Sequence, residues 1–203
     1  MNDQYYTREP QSASKPMPCE FEWRGMRLRF RTDAGVFSKG ELDPGTRLLL
    51  DALPMLSGNV LDLGCGWGAI GVSIAKAMPE THVTMADVNL RALELAAVNA
   101  RDNGVSCETI ESDGFLGLSE RMFDAVITNP PIRAGKQVVY KMFADAREHL
   151  CPGGALFIVI RKQQGAESCI RYLQSIGYEV EKLDRSGGYW VLRATPTGGN
   201  ENV

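Results

Sequence analysis

Residues 123–132 read Phe-Asp-Ala-Val-Ile-Thr-Asn-Pro-Pro-Ile, an apolar strand pattern that runs straight into Asn129-Pro130-Pro131. Proline has no N–H and a fixed φ, so the backbone after Asn129 is stiff and its carbonyls meet few competing donors. The Asn129 side-chain oxygen and the Pro130 carbonyl can together accept both hydrogens of a flat –NH2 group. An amine conjugated to a ring or a carbonyl is a poor nucleophile because its lone pair is delocalised. Two acceptors on its hydrogens favour pyramidalisation and aim that lone pair at an electrophile. A site of this kind works by positioning and electrostatics and needs no strong base. Asn-Pro is also ordinary turn chemistry at a strand end. The tripeptide alone does not separate the two readings.

A second motif, Asp62-x-Gly64-x-Gly66-x-Gly68, follows a short apolar strand pattern and precedes an amphipathic helix pattern. Gly64 and Gly66 permit a tight turn and close approach of backbone to a ligand. Gly68 is expected to let the helix pack closely on the strand. Asp87 ends a second strand pattern nineteen residues after Gly68, where an acid is placed to chelate a ribose diol at the carboxyl edge of an open α/β sheet. Gly66-Trp67-Gly68-Ala69-Ile70-Gly71 also satisfies the G-x-G-x-x-G dinucleotide fingerprint. Against a nicotinamide ligand stands Asp62, a carboxylate placed inside the strand that feeds the loop, where an unpaired charge is costly. A sulfonium amino-acid nucleoside gives Asp62 a purpose, because it offers an ammonium to face, directly or through water.

Together these segments resemble the class I S-adenosylmethionine-dependent methyltransferases, on Asp62-x-Gly64-x-Gly66-x-Gly68, Asp87, Ser112-Asp113-Gly114 and Asn129-Pro130-Pro131. The resemblance implies S-adenosyl-L-methionine as cofactor, with Asp87 on the ribose hydroxyls and Asp113 on the adenine amine. It implies cofactor contacts from Asp62, Gly64, Gly66, Gly68, Asp87, Asp113 and Asn129, and catalysis by Asn129, Pro130 and Pro131 on a nitrogen. A narrower likeness covers residues 30–195. Phe30-Arg31-Thr32-Asp33-Ala34-Gly35-Val36-Phe37-Ser38-Lys39-Gly40, then Leu42-Asp43-x-Gly45-Thr46, is similar to the entry segment of the methyltransferase small domain family. That family includes bacterial ribosomal RNA guanine-N2 methyltransferases of the RsmC type and single-domain YbxB-like relatives. The implied substrate is an exocyclic amine, guanine N2 of ribosomal RNA, with the small subunit favoured. The implied partner is ribosomal RNA or a ribosomal subunit. Alternatives are a protein-glutamine or adenine N-methyltransferase, or a non-catalytic RNA-binding assembly factor. Many amino-methylating enzymes carry Tyr or Phe after the prolines to stack on the base; here the residue is Ile132. Substrate contacts are therefore expected from Phe37, Ile132, Arg133 and Lys136.

The chain has 203 residues and a net charge of −3, which does not announce a nucleic-acid binder. Basic residues nevertheless follow the tripeptide (Arg133, Lys136, Lys141) and a later apolar strand (Arg161, Lys162), which would place them at one sheet edge as phosphate contacts. The five cysteines are scattered without C-x-x-C spacing and no secretory h-region opens the chain, so a reducing cytoplasm is the expected compartment. With two histidines and no His/Cys cluster, no metal site is expected. No apolar run approaches the roughly 20 residues that span a membrane. The oligomeric state is not legible.

The elements that must hold these residues emerge from hydropathy pattern. Residues 1–18 are polar with three prolines and read as a disordered or loosely docked arm. Residues 19–203 read as a single methyltransferase domain that opens with a β-hairpin over 19–37. The hairpin's Arg27, Arg29 and Arg31 form either an RNA-facing strip or a solvated sheet face. Asp43-Pro44 marks a helix start, with Asp as the cap. Six or more βα alternations then predict an α/β, Rossmann-like, doubly wound, mostly parallel sheet. Tyr178–Leu183 and Tyr189–Ala194, around Ser186-Gly187-Gly188, read as two closing strands joined by a turn; the family resemblance implies that this pair places one antiparallel strand in a seven-stranded sheet.

Overall fold

The computed structural model describes residues 8, 13–38 and 40–198; residues 1–7, 9–12 and 199–203 and Lys39 lie outside the described residues. Met17–Trp23 (β1) and Met26–Thr32 (β2) form the antiparallel hairpin. Trp23 and Met26 close over Arg24-Gly25, both left-handed (φ 51° and 74°), the turn whose twist matches that of paired strands. Alternation buries Cys19, Trp23, Leu28 and Phe30 and leaves Arg27, Arg29 and Arg31 outside. Arg27 and Arg29 share Glu20, and Arg31 pairs with Asp102 at 2.9 Å, so the charge of this strip is partly offset. The expected arm boundary falls inside β1. Just before it, Ser14 Oγ donates to Asp33 Oδ2 at 2.7 Å and the Lys15 amide donates to Asp33 Oδ1.

The main sheet contains Gly58–Leu63 (β3), Thr81–Asp87 (β4), Glu108–Glu111 (β5), Phe123–Thr128 (β6), Leu150–Arg161 (β7), Tyr178–Ser186 (β8) and Tyr189–Pro196 (β9). Its order is β5-β4-β3-β6-β7-β9-β8. β9 runs antiparallel to both neighbours while the other pairings are parallel, giving the seven-stranded sheet with one reversed strand. Among the described residues five α-helices cover it: Pro44–Ala52 (α1), Ala69–Ala77 (α2), Leu90–Asp102 (α3), Lys136–Glu148 (α4) and Ala166–Ser175 (α5). Period-two alternation divides the core. Val60, Ala125 and Ile127 pack with the hairpin and α1–α3, whereas Leu61, Leu63 and Val126 pack with α4 and α5. β7 begins at Leu150, and Pro152-Gly153-Gly154 sits inside the strand as an irregularity in its pairing with β6. Pro152 lacks the ladder N–H, so the strand bulges there without ending.

The hairpin is joined to the rest through two side-chain amides. Asn99 Oδ1 accepts from the Arg31 amide at 2.8 Å and its Nδ2 donates to the Arg31 carbonyl at 3.0 Å. Asn103 treats Arg29 the same way, at 3.1 and 2.7 Å. Four helical residues rise about 6 Å and two strand residues about 6.7 Å, so the pair stands in for a neighbouring strand along the open edge of β2. Asn99 also donates to the Trp67 carbonyl at 2.8 Å, reaching the glycine loop. Asn99→Ala strands three backbone groups in a buried place and is expected to cost about 3 kcal/mol, while the half-exposed Asn103→Ala should cost about 1 kcal/mol. Urea denaturation of the two variants checks this; equal losses would show that burial does not give Asn99 its weight.

Candidate active site

β3 and β6 are neighbours although β4 and β5 lie between them in sequence, so the sheet reverses its order at this pair and opens a crevice beyond its carboxyl ends. The Thr128 hydroxyl, fully buried, donates to the Leu63 carbonyl at 2.8 Å and ties the two strand ends together. Gly64 and Asn129 therefore emerge side by side. A cavity of about 330 Å³ lies over them.

One wall is the loop from Gly64 to Gly68. Gly64 and Gly66 are left-handed (φ 72° and 55°), and a Cβ on either would meet no protein atom within 4 Å. The open space they face is the cavity. Gly68 does not line it. A Cβ there would stand 3.1 Å from the Ala96 Cβ of α3 and 3.2 Å from Met85 Sδ of β4, so its close approach is to those elements and not to β3. Trp67 donates its indole N–H to the Phe37 carbonyl at 2.9 Å and brings Phe37 to the crevice.

Asp87, Asp113 and Asn129 all line the cavity, as do Gly64, Gly66 and both prolines. Asp87 Oδ2 accepts the Gly66 amide and Oδ1 the Asn89 amide, each at 2.8 Å. A carboxylate offers about four lone-pair sites, so Asp87 keeps acceptor capacity for a hydroxyl. Burial raises the Asp87 pKa despite these backbone donors. Asp113 stands exposed on the far wall, its loop held by Ser112 Oγ, which donates to the Gly114 carbonyl and accepts the Gly117 amide.

Asp62 is placed differently from expectation. It is fully buried and absent from the cavity wall. Its Oδ2 accepts the Gly71 amide at 2.8 Å, and a Cβ at Gly71 would stand 2.6 Å from Met85 Cγ and 3.1 Å from that same oxygen. Its Oδ1 has no hydrogen-bond partner among the described residues. Burial, opposed by the Gly71 N–H and reinforced by Asp87, pushes its pKa from 3.8 to about 7. An orphaned buried acceptor beneath a glycine cradle, with a second acid at the β4 end, fits a ligand that carries an ammonium and a ribose. Gly64, Gly66, Asp87 and Asp113 are the residues that would hold S-adenosylmethionine.

The second wall is the tripeptide together with the short turn after it. Pro131 (φ −74°, ψ 76°) centres an inverse γ-turn in which the Ile132 amide donates to the Pro130 carbonyl at 2.8 Å. That carbonyl is thus less bare than the sequence implies; one lone pair is used and one remains. A 3-10 turn, Ile132–Ala134, then places residues three apart on one side. Pro131 and Ala134 line the cavity, while Ile132 packs into the core cluster of α4 and α5. Arg133 and Lys136 are exposed outside the cavity, Lys136 Nζ lying 5.0 Å over the Tyr140 ring. Of the four expected substrate contacts, only Phe37 is on the wall.

Sequence reasoning missed others there. Val138 and Met142, one helical turn apart on α4, line the cavity. Asp43 and Thr46 also line it, beyond the cap that Asp43 provides to α1. The Asn129 Nδ2 donates to Asp43 Oδ2 at 3.1 Å and to Thr46 Oγ1 at 2.9 Å. Cys65 lines the wall with its thiol pushed well above the usual range by burial, so it is not a nucleophile. Among the described residues no cluster of His, Cys, Asp and Glu is arranged to hold a metal, and no helix is long and apolar enough to cross a membrane.

The Asp62 geometry predicts a pH dependence. The native carboxyl keeps its proton up to about 7, whereas the unfolded chain releases it near 3.8. The folded state holds the extra proton between those values, so ligand-free stability should fall as pH rises through that window. The slope should be roughly 1 kcal/mol per pH unit and level off above it. Asp62→Asn should remove most of that slope, which urea midpoints of both proteins at pH 5 and pH 8 would reveal.

Residues 27–193 match the family described as methyltransferase small domain. The chain is 42% identical over 198 residues to the uncharacterized protein YbxB of Bacillus subtilis (strain 168), covering 96% of this chain and 98% of that one. It is 38% identical over 172 residues to the ribosomal RNA small subunit methyltransferase C of Hahella chejuensis, covering 78% of this chain and 50% of the relative. A solved T. thermophilus 16S rRNA N2 methyltransferase (RsmC), in complex with AdoMet and guanosine, superposes with a TM-score of 0.79 at 26% identity. That superposition covers 93% of this chain and 52% of the other. The chain thus spans about half the length of the ribosomal RNA methyltransferases it matches. With a glycine cradle, an acid at the β4 end and Asn-Pro-Pro meeting over one crevice, the chain belongs to the methyltransferase small domain family and is an S-adenosylmethionine-dependent methyltransferase.

Proposed function

We propose that the chain methylates the exocyclic N2 amine of a guanine in small-subunit ribosomal RNA. The observation that carries this reading is the pair of acceptors on the tripeptide wall. Both Asn129 Nδ2 hydrogens are committed to Asp43 and Thr46, which leaves Oδ1 as the group available to a substrate. The remaining lone pair of the Pro130 carbonyl lies next to it in the chain. The relatives named for small-subunit RNA and the RsmC likeness supply the substrate class.

When bound, S-adenosylmethionine supplies an electrophilic methyl on a sulfonium. Asn129 Oδ1 and the Pro130 carbonyl accept the two amine hydrogens and turn the nitrogen lone pair toward that methyl. As positive charge develops on nitrogen, the same two carbonyl dipoles stabilise it. Neither histidine lines the cavity, and none is needed: an alkylated conjugated amine is acidic enough to lose its proton to water. Phe37 and Val138, 36% and 44% exposed on the wall, supply apolar contact for a flat base in place of an aromatic residue at Ile132. Arg133 and Lys136, being outside the cavity, serve the RNA backbone and not the base.

Methyl transfer from isotopically labelled S-adenosylmethionine to purified small subunits, large subunits, free rRNA and ribosomal protein tests the reading, with the modified nucleoside identified by mass spectrometry. The expected product is N2-methylguanosine from one RNA; label in protein or in methyladenosine would overturn the substrate assignment. Asn129→Ala should lower the rate by on the order of a hundredfold or more, with cofactor affinity changed little. Phe37→Ala should raise the KM for RNA by about tenfold, the loss of one stacked base.

A further inference from the structure

We propose that Asp43 and Thr46 are positioning residues for the reaction, which lock the side-chain amide of Asn129 so that its oxygen, and not its NH2, faces the substrate amine. The proposal rests on Asn129 being the acceptor for that amine. A side-chain amide is nearly symmetric in shape and opposite in polarity at its two ends, so a half-turn about its last bond exchanges acceptor for donors. A site that must accept two amine hydrogens would fail after that half-turn. In the structure it is resisted twice. Asp43 Oδ2 accepts one Nδ2 hydrogen at 3.1 Å and Thr46 Oγ1 the other at 2.9 Å. After a half-turn the amide oxygen would face the carboxylate, two acceptors with no hydrogen between them. Thr46 is itself oriented, because its hydroxyl donates to Asp43 Oδ2 at 3.5 Å and turns a lone pair toward Asn129.

Helix capping does not explain this arrangement. Capping α1 requires only that Asp43 accept the Thr46 amide, which it does at 2.9 Å, and a serine would serve as well. The reach from Asp43 to a residue 86 positions away, and the Thr46 hydroxyl, are surplus to the cap. The turn between them is tightly seated. A Cβ on Gly45 would stand 2.6 Å from Tyr189 Cε1 and 2.9 Å from Asp43 Oδ2. Tyr189, at the start of β9, is held in turn by Arg161 Nε, which donates to its hydroxyl at 2.7 Å. The segment 43–46 thus carries the amide lock on the sheet itself, and Asn129 cannot turn over without losing both of its bonds to the start of α1.

Two variants separate the lock from the cap. Asp43→Ser keeps a capping oxygen but is too short to reach Asn129, and Thr46→Val keeps the side-chain shape without the acceptor. In 15N-labelled protein, the Asn129 side-chain protons are the pair missing from the Asn129→Ala spectrum. Their exchange should be at least about tenfold faster in both variants than in the parent. With small ribosomal subunits and labelled S-adenosylmethionine, kcat should fall about ten- to a hundredfold, as expected for a slightly misplaced catalytic group. Cofactor affinity should stay within about threefold. Thr46→Ser should recover most of the Thr46→Val loss, and Thr46→Val should add nothing in an Asn129→Ala background. Unchanged exchange and kcat in both variants, with Asn129→Ala impaired, would overturn the lock while leaving the role of Asn129 standing. Full activity in Asn129→Ala would instead refute the role of Asn129 itself.

Discussion

The site depends on the parallel pairing of β3 with β6. These strands are consecutive in space but separated in the chain by two further strands and two helices. Their last paired residues are Asp62 and Ile127, and the ladder is extended past that point by the Thr128 hydroxyl on the Leu63 carbonyl. One residue later on each strand the backbone leaves the sheet, as Gly64 on one side and Asn129 on the other. A strand slipped by one residue would send every side chain to the opposite face, moving Thr128 off Leu63 and Asp62 off α2. Buried apolar residues on both faces of β3 and β6 hold that register.

Around this seam the molecule uses amide side chains where flexible loops would otherwise set the geometry. Asn99 and Asn103 complete the hairpin edge from a helix, Asn89 caps α3 while donating to the Gly35 carbonyl, and Asn129 is bonded to the start of α1. Each carries donor and acceptor on one rigid plane, so it can join two backbones or orient a third group without charge. The result is that the 33–38 segment, which has no regular secondary structure, is fixed from several sides. Arg91 donates to the Ala34 carbonyl, Asn89 to Gly35 and Trp67 to Phe37. Phe37 is exposed in side chain but anchored in backbone.

Asp62 shows the opposite economy. A carboxylate with one unpartnered oxygen in a fully buried place destabilises the ligand-free fold, and its proton is retained to near neutral pH. Such strain persists at binding sites because a bound cation relieves it. The residue shapes the cavity from behind, through Gly71 and the start of α2.

By itself the sequence determined the class of fold, the carboxyl-edge location of the site and the identity of the two central motifs. Those come from local signals: period-two apolar runs, glycines where backbone must turn, an acid at a strand end, prolines that end a strand. Even the double use of Asp43 was half visible, since Asp-Pro before a helix is a cap signature. Tertiary structure alone decided which polar atoms are already spent. The Pro130 carbonyl is shared with Ile132, the Asn129 hydrogens belong to Asp43 and Thr46, and Asp62 sits behind the wall. It also decided that Ala134, Val138 and Met142 face the cavity while Ile132, Arg133 and Lys136 do not. The reason is physical. Motif spacing fixes where the backbone turns, but the hydrogen-bond partners of a side chain come from residues far away in the chain, and a three-residue helical turn rotates neighbours to opposite sides.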